Sequence, residues 1–463
     1  MLNPHIFRQY DIRGLVGSDI DADVARAIGR AYGTLLRRMT GTEEPVEAVL
    51  GRDNRLTSDE LAAAVSAGLR DAGVGVIDVG TVPTPVHSYA TAVLGAAGGL
   101  QVTGSHNPPD YNGFKMTVAG RSIYGERIQE IFRIIREEDY ESGDGRERRE
   151  EILNRYVADI APRFALKRPL KVVADCGNGV GSVVVVDLLR ALGEKVEVIP
   201  LYCESDGTFP NHHPDPVVDE NLIPLIDKVR ATGADLGVAF DGDADRIGAV
   251  DEKGGIVRGD ILLLLFALEL AERRGADAPV VYDVKCTQAL PDVLEKAGIR
   301  GIMAKTGHSL IKERMKEEGA LIAGELSGHI MFGDDYYGFD DALYAACLLT
   351  AIVSRSERSL SERVGEFPQY LSSPEIRYPA TEETKFGIVD RAVEHFGREH
   401  EVIDVDGARV LFGDGWGLVR ASNTEPVIVA RYEARDEGRL NEIREQVEGW
   451  LSNEGVQVPA ASV

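Results

Sequence analysis

The 463-residue chain has little cysteine, little tryptophan and a deficit of positive charge. Its four cysteines are Cys176, Cys203, Cys286 and Cys347, with no C-x-x-C pair among them. That spacing argues against a zinc framework or a disulfide-stapled scaffold and fits reduced thiols in a cytoplasmic protein. Lys and Arg number 51 against 76 Asp and Glu, a net charge of −25. A body this acidic repels a nucleic-acid backbone, so nucleic acid is not expected as a partner. An anionic small substrate stays open, because it responds to its pocket more than to the whole surface. Long apolar runs are missing too. The longest are residues 261–270, with Glu269 inside, and 342–353. Both fall short of the roughly 20 residues that span a bilayer, so they predict buried helices and no membrane partner. The opening MLNPHIFRQYDIRG has no apolar core of a secretory signal, and cytoplasmic residence is the expectation.

What is present is ordinary for a globular protein: 44% hydrophobic and 27% charged residues. Gly, at 50 residues, points to many tight turns. Short β-branched runs at 46–50, 75–79, 98–102, 171–174, 196–199, 236–240, 280–284 and 320–323 alternate with helical segments such as 57–72. This alternation predicts α/β layers with largely parallel strands. Residues 136–151 (REEDYESGDGRERREE) read as a charged connector. Further breaks are expected at 251–255 and near 365–374. Beyond them the pattern changes to a hairpin on Asp406-Gly407, strands at 417–421 and 427–432, and a helix with Leu440, Ile443, Val447 and Leu451 on one face. The predicted fold is three similar mixed α/β domains, 1–148, 149–254 and 255–367, and a smaller C-terminal α+β domain, 368–463.

Four loops carry chemistry. Residues 241–246 (DGDADR) follow the strand 236–240, at the strand end where α/β proteins bind ligands. Three carboxylates in six residues repel one another without a cation. With no His or Cys among them they suit a hard divalent ion, Mg²⁺ ahead of zinc. Residues 103–108 (TGSHNP) display a hydroxyl in a turn and offer Ser105 as a nucleophile. His106 stands beside it, but adjacent side chains usually diverge, and a lone turn serine is also a common hydrogen-bonding residue. Lys115 follows in NGFK. Residues 324–329 (GELSGH) place a carboxylate, a hydroxyl and an imidazole between glycines, suited to sugar hydroxyls or to a plain polar turn. Residues 305–308 (KTGH) add another His. Residues 420–426 (RASNTEP), with Arg431 beyond, suit a phosphate or a capped turn. One loop falls in each proposed domain, which predicts a single cleft built by all four. Residues 171–199 imitate a dinucleotide-binding unit, but Ser182 stands where the third Gly or Ala belongs, so the glycines of DCGNGVGS are read as a tight turn.

With TGSHNP, DGDADR, GELSGH, SNTEP and the opening YDIRG in this order, the chain resembles the α-D-phosphohexomutase superfamily over nearly its whole length. It is most similar to the bacterial phosphomannomutase/phosphoglucomutase branch. The resemblance implies a four-domain α/β protein around a central cleft. It implies a phosphoryl group on Ser105, and Mg²⁺ held by Asp241, Asp243, Asp245 and an oxygen of phospho-Ser105. It implies that Glu325 and Ser327 meet sugar hydroxyls. It implies that Arg420, Ser422, Asn423, Thr424 and Arg431 hold the phosphate that is not reacting. Tyr10, Arg13, Lys115, Arg246, Lys285, His308 and His329 match positions used around the sugar and the transferring phosphate. Gly104 stands where the family usually has Ala, and Leu326 where Met is common; neither removes a reacting group.

The expected reaction is reversible phosphoryl transfer between O1 and O6 of a hexose through a hexose 1,6-bisphosphate. Lys115 or His308 would serve as the general base. Turning the bisphosphate over roughly exchanges O3 and O4 but not O2. Reading O3 and O4 would therefore tolerate both mannose and glucose phosphates. A phosphoglucosamine mutase is the nearest alternative; a Mg²⁺-dependent sugar phosphatase and a non-catalytic sugar-phosphate sensor stand further off. Monomer and homodimer both remain open.

Overall fold

The computed structural model describes residues 2–458 apart from Glu43 and Thr424. The chain divides into two compact units, Met1–Leu262 with Ser327–Arg363, and Leu263–Leu326 with Val364–Val463.

The first unit holds two sheets. One contains β1 (Ile12–Leu15), β2 (Glu47–Arg52), β3 (Gly75–Thr81), β4 (Gly98–Val102), β5 (Tyr111–Val118), β6 (Arg121–Ser122) and β7 (Glu147–Arg149). The order is β1-β5-β4-β2-β3-β7, with β6 on β5. The β4-β2-β3-β7 pairs are parallel, and β5 runs antiparallel to β4, β1 and β6. β4 is buried at every position, and its one polar residue, Gln101, is satisfied by donating its amide to the Val82 carbonyl at 2.8 Å. Ile28, Leu35 and Leu36 of the helix Ala22–Thr40 share a core with Leu100, Val102 and Phe114. Asp21 caps that helix by accepting the Val24 N–H. The core therefore fixes β4, and the residues after Val102 emerge from a rigid strand end.

The second sheet contains β8 (Leu170–Asp175), β9 (Val196–Leu201), β10 (Leu236–Phe240), β11 (Ile247–Asp251) and β12 (Ile256–Val257), in the order β12-β11-β10-β8-β9. Phe240 pairs with Ile247, so residues 241–246 turn between two fully buried strands. The DEKGG segment is the turn of the β11–β12 hairpin. The glycine-rich turn after β8 is engaged with protein: the Val180 N–H donates to the Gly242 carbonyl at 3.0 Å. The charged stretch 136–151 ends in β7, an exposed edge strand parallel to β3. Charged side chains on an edge strand discourage further pairing and hide the strand from hydropathy.

In the second unit the strands Val280–Asp283, Gly301–Ala304 and Ile322–Gly324 lie parallel. An antiparallel sheet follows, built on Val427–Ala434 and Gly415–Ala421 and extended by Ala408–Leu411 and Glu401–Ile403. Gly407 takes φ +96 at the hairpin turn, as the Asp-Gly pair predicts. Ile443, Val447 and Leu451 of the helix Glu437–Asn453 are buried in the core of this sheet, and Leu440 packs at its edge. Trp416 is fully buried, with the Arg409 guanidinium 4.0 Å from its ring centroid. The two apolar runs form the helices Gly259–Arg274 and Ala342–Arg355. Among the described residues no helix is long and apolar enough to cross a membrane.

Candidate active site

The serine loop leaves β4 and is held from behind. Ser105 is 2% exposed and takes φ +50, a left-handed conformation that L-residues adopt only under constraint. Its N–H donates to Thr103 Oγ1 at 2.9 Å. Its hydroxyl donates to Asp241 Oδ2 at 3.0 Å and lies 3.1 Å from His106 Nδ1. The left-handed turn is what lets these adjacent side chains meet, contrary to the usual divergence. Burial first, then the nearby Arg246, Arg13 and Lys115, hold the His106 imidazole well below its ordinary pKa, so it is neutral.

Arg55 holds this loop, and no motif announces it. Its side chain is fully buried and forms an ion pair with Asp53 at 3.1 Å. One terminal nitrogen donates to the carbonyls of Ser105 and Asn107, both at 2.7 Å, and the other to those of Pro108 (2.5 Å) and Tyr111 (3.1 Å). A Cβ on residue 104 would lie 2.5 Å from the Arg55 Cζ, so this packing accounts for glycine there.

The acidic loop meets the serine loop directly. Asp241, Asp243 and Asp245 are fully buried, and one oxygen from each lies within 4.8 Å of the others. Asp241 Oδ1 accepts the N–H groups of Asp245 and Arg246, each at 3.1 Å, which curls the loop and converges the carboxylates. Lys115 on β5 reaches Asp243 Oδ2 at 2.7 Å and Asp245 Oδ2 at 2.5 Å. Thr84 Oγ1 donates to Asp243 at 2.5 Å. Burial opposes charge on Lys115, but the three carboxylates outweigh it and keep its pKa above the lysine range. Burial and the two neighbouring carboxylates push Asp241 well above the carboxylate range. Lys115 and Arg246 together therefore do not hold all three buried acids ionised. Among the described residues, Asp243 Oδ1 is buried without a hydrogen-bond partner, and Asp245 Oδ1 has no hydrogen bond, with the His329 ring nitrogen 3.5 Å away. Orphaned acceptors and converging hard oxygen donors, one of them not held ionised by these side-chain cations, fit a divalent cation.

Other predicted residues gather in the same unit. Arg13 on β1 donates to Asn107 Oδ1 in the serine loop and pairs with Asp11. Tyr10 is half-buried just before β1. Arg246 Nε donates to His329 Nε2 at 3.0 Å, and His329 Nδ1 lies 3.0 Å from Asp340. Ser327 is half-buried, and the next residue, Gly328, accepts the Ile247 N–H at 3.1 Å, docking this loop on β11.

The second unit collects the rest. Glu325 is 3% exposed and accepts the Gly307 N–H at 2.7 Å, one residue before His308, which begins the helix His308–Glu318. Lys285 pairs with Glu375 at 2.7 Å, and this holds the Glu375 carboxyl down at about 2. Arg431 donates to the Lys285 carbonyl at 3.0 Å. Arg420 pairs with Asp406 at 3.0 Å. Ser422 is buried and Asn423 exposed. The buried Lys385 donates to the carbonyls of Ser422 (2.7 Å) and Glu425 (3.1 Å), which shapes the turn. Thr424 lies outside the described residues. Asp406 reads from sequence only as a turn residue, and Glu375 and Lys385 carry no motif that marks their partners.

Comparison with known proteins decides the family. Models described as phosphoglucomutase/phosphomannomutase α/β/α domains I, II and III match residues 4–142, 154–255 and 258–370, and the C-terminal domain of the same family matches 375–449. The chain belongs to the phosphoglucomutase/phosphomannomutase family. The Pseudomonas aeruginosa phosphomannomutase/phosphoglucomutase is 49% identical over 442 residues, covering 95% of this chain and 94% of its own. A Neisseria meningitidis phosphoglucomutase is 42% identical, covering 97% of each chain. The crystal structure of a phosphoglucomutase/phosphomannomutase family protein from Burkholderia thailandensis superposes with a TM-score of 0.93 at 42% identity, covering 99% of this chain and all of that one. The architecture of this phosphohexomutase is thus three α/β domains and a C-terminal domain, as the alternation of strands and helices and its late change predict.

Proposed function

We propose that this phosphohexomutase moves a phosphate reversibly between O1 and O6 of hexoses, using both mannose and glucose phosphates. The supporting observation is a buried serine hydroxyl 3.0 Å from a carboxylate trio with spare acceptors, in a chain akin to named mutases. Phospho-Ser105 gives its phosphoryl group to the free hydroxyl of a sugar monophosphate. The resulting 1,6-bisphosphate turns over, and its other phosphate returns to Ser105. Arg246 and the protonated Lys115 bring positive charge to the transferring group, and of the two candidate bases His308 takes the hydroxyl proton and returns it in the reverse step, because the carboxylates keep Lys115 an ammonium. Tyr10, Arg13, Lys285 and His329 surround the sugar and this phosphate, while Glu325 and Ser327 read the ring hydroxyls. Arg420, Ser422, Asn423, Thr424 and Arg431 hold the idle phosphate. Asp241, Asp243 and Asp245, with an oxygen of phospho-Ser105, would hold Mg²⁺, which would neutralise charge on the phosphoryl group. The four domains proposed above each supply one of these loops.

Incubation with mannose 1-phosphate, Mg²⁺ and catalytic hexose 1,6-bisphosphate is expected to yield mannose 6-phosphate. Glucose 1-phosphate should give a kcat/KM within roughly tenfold, a difference of about 1.4 kcal/mol. A strong preference for glucosamine 1-phosphate would make the enzyme a phosphoglucosamine mutase, and release of inorganic phosphate a phosphatase. Ser105→Ala should lose turnover yet still bind sugar phosphate by calorimetry; an unchanged basal rate would refute the assigned nucleophile. Chelation should stop turnover and Mg²⁺ restore it. Activity that survives exhaustive chelation would remove the cation from the mechanism.

A further inference from the structure

Two of the four cysteines meet at the ends of two neighbouring strands. β8 and β9 are parallel neighbours in register, Asp175 opposite Leu201, and both end there. Cys176 follows the first strand directly, and Cys203 follows the second after Tyr202, which takes φ +50. The two sulfurs lie 2.8 Å apart, although the residues are 27 positions apart in sequence. A disulfide needs about 2.05 Å, so closing the gap takes under 1 Å of sulfur movement. Cys176 is buried and Cys203 half-buried, so a small solute reaches Cys203 first. Cys203 Sγ also lies 3.3 Å from the Ala174 carbonyl. Burial pushes the Cys176 thiol well up, whereas the hydrogen bond from Cys176 lowers Cys203. The pair thus presents an accessible attacking sulfur backed by a resolving thiol. Cys286 and Cys347 are both buried.

We propose that Cys176 and Cys203 are a reversible oxidation site that hydroperoxides convert to an intramolecular disulfide. The Cys203 thiolate attacks one peroxide oxygen; the O–O bond breaks, and the departing hydroxide takes a proton and leaves as water. Cys203 is then a sulfenic acid. The Cys176 sulfur attacks the Cys203 sulfur; the S–O bond breaks, and the hydroxyl leaves as water with the Cys176 proton. Two thiols lose two electrons, and one hydrogen peroxide becomes two waters. The bond would tie the ends of β8 and β9 beside the turn whose Val180 N–H holds the Gly242 carbonyl.

The test uses the full-length protein, reduced, desalted and exposed to a small molar excess of hydrogen peroxide. Thiols titrated after unfolding should fall from four to two, and digestion should give one peptide pair joined through Cys176 and Cys203. Dithiothreitol should restore all four thiols. Cys203→Ser should keep its three thiols under the same exposure. Cys176→Ser should leave a sulfenic acid on Cys203 that dimedone traps. Four thiols persisting in the natural chain, or Cys203 passing to sulfinic acid without a joined peptide, would overturn the proposal. The natural chain alone decides between these outcomes, whether or not either variant folds.

Discussion

Arg55→Met should lower kcat by two orders of magnitude or more while KM for the sugar phosphate changes little. Methionine keeps much of the volume, so the loss isolates the guanidinium. Four loop carbonyls lose their donor, and the buried Asp53 loses its countercharge. Removing one partner of a buried ion pair costs about 3–5 kcal/mol, so the unfolding midpoint should fall as well. Ser105 holds φ +50 because its carbonyl is gripped on this side. Released, it relaxes towards the right-handed or extended regions and swings its hydroxyl off Asp241. Arg55→Lys should recover part of the stability and little of the rate, because a single ammonium cannot serve four carbonyls in two directions. Steady-state kinetics alongside urea unfolding separate the two effects. Wild-type kcat in Arg55→Met would show that the serine loop keeps its shape unaided.

The second large effect belongs to Gly242→Ala. A Cβ there would sit 2.2 Å from the Ser105 carbonyl oxygen, a backbone atom held by Arg55. The atom in the way is backbone and not a flexible side-chain tip, so one loop must retreat from the other by about 1 Å. A displacement of that size at a reacting group costs on the order of a hundredfold in rate. The expected result is a kcat reduced about a hundredfold with circular dichroism unchanged. The defect should also appear as weaker Mg²⁺ dependence, because the acidic loop and the serine no longer meet. Full activity in this variant would mean that the two loops need not be in contact.

The parts of this molecule visible in its sequence share one property. Gly98–Val102 and Leu236–Phe240 are short, fully buried and uncharged strands, and each is followed at once by polar residues with a glycine among them. A buried strand that ends in chemistry is a pattern that one sequence displays. β5 is not visible as a strand. Asn112-Gly113 inside it is a turn signal, yet both residues lie in the ladder opposite Gly14 and Arg13 of β1. Burial between neighbouring strands overrides local preference there. β7 is hidden because an edge strand carries charge. The His106 contact is hidden because a left-handed serine is a product of tertiary restraint. Arg55 is hidden because its partners are backbone carbonyls, and carbonyls leave no trace in side-chain pattern.

The burial of Trp416 sets how unfolding can be watched. The chain has two tryptophans, Trp416 and Trp450, and both lie in the second unit. Indole emission is therefore blind to the unit that carries Ser105 and the aspartates. A melting curve recorded by fluorescence follows the loss of the tryptophan-bearing unit, and a backbone signal is required for the other.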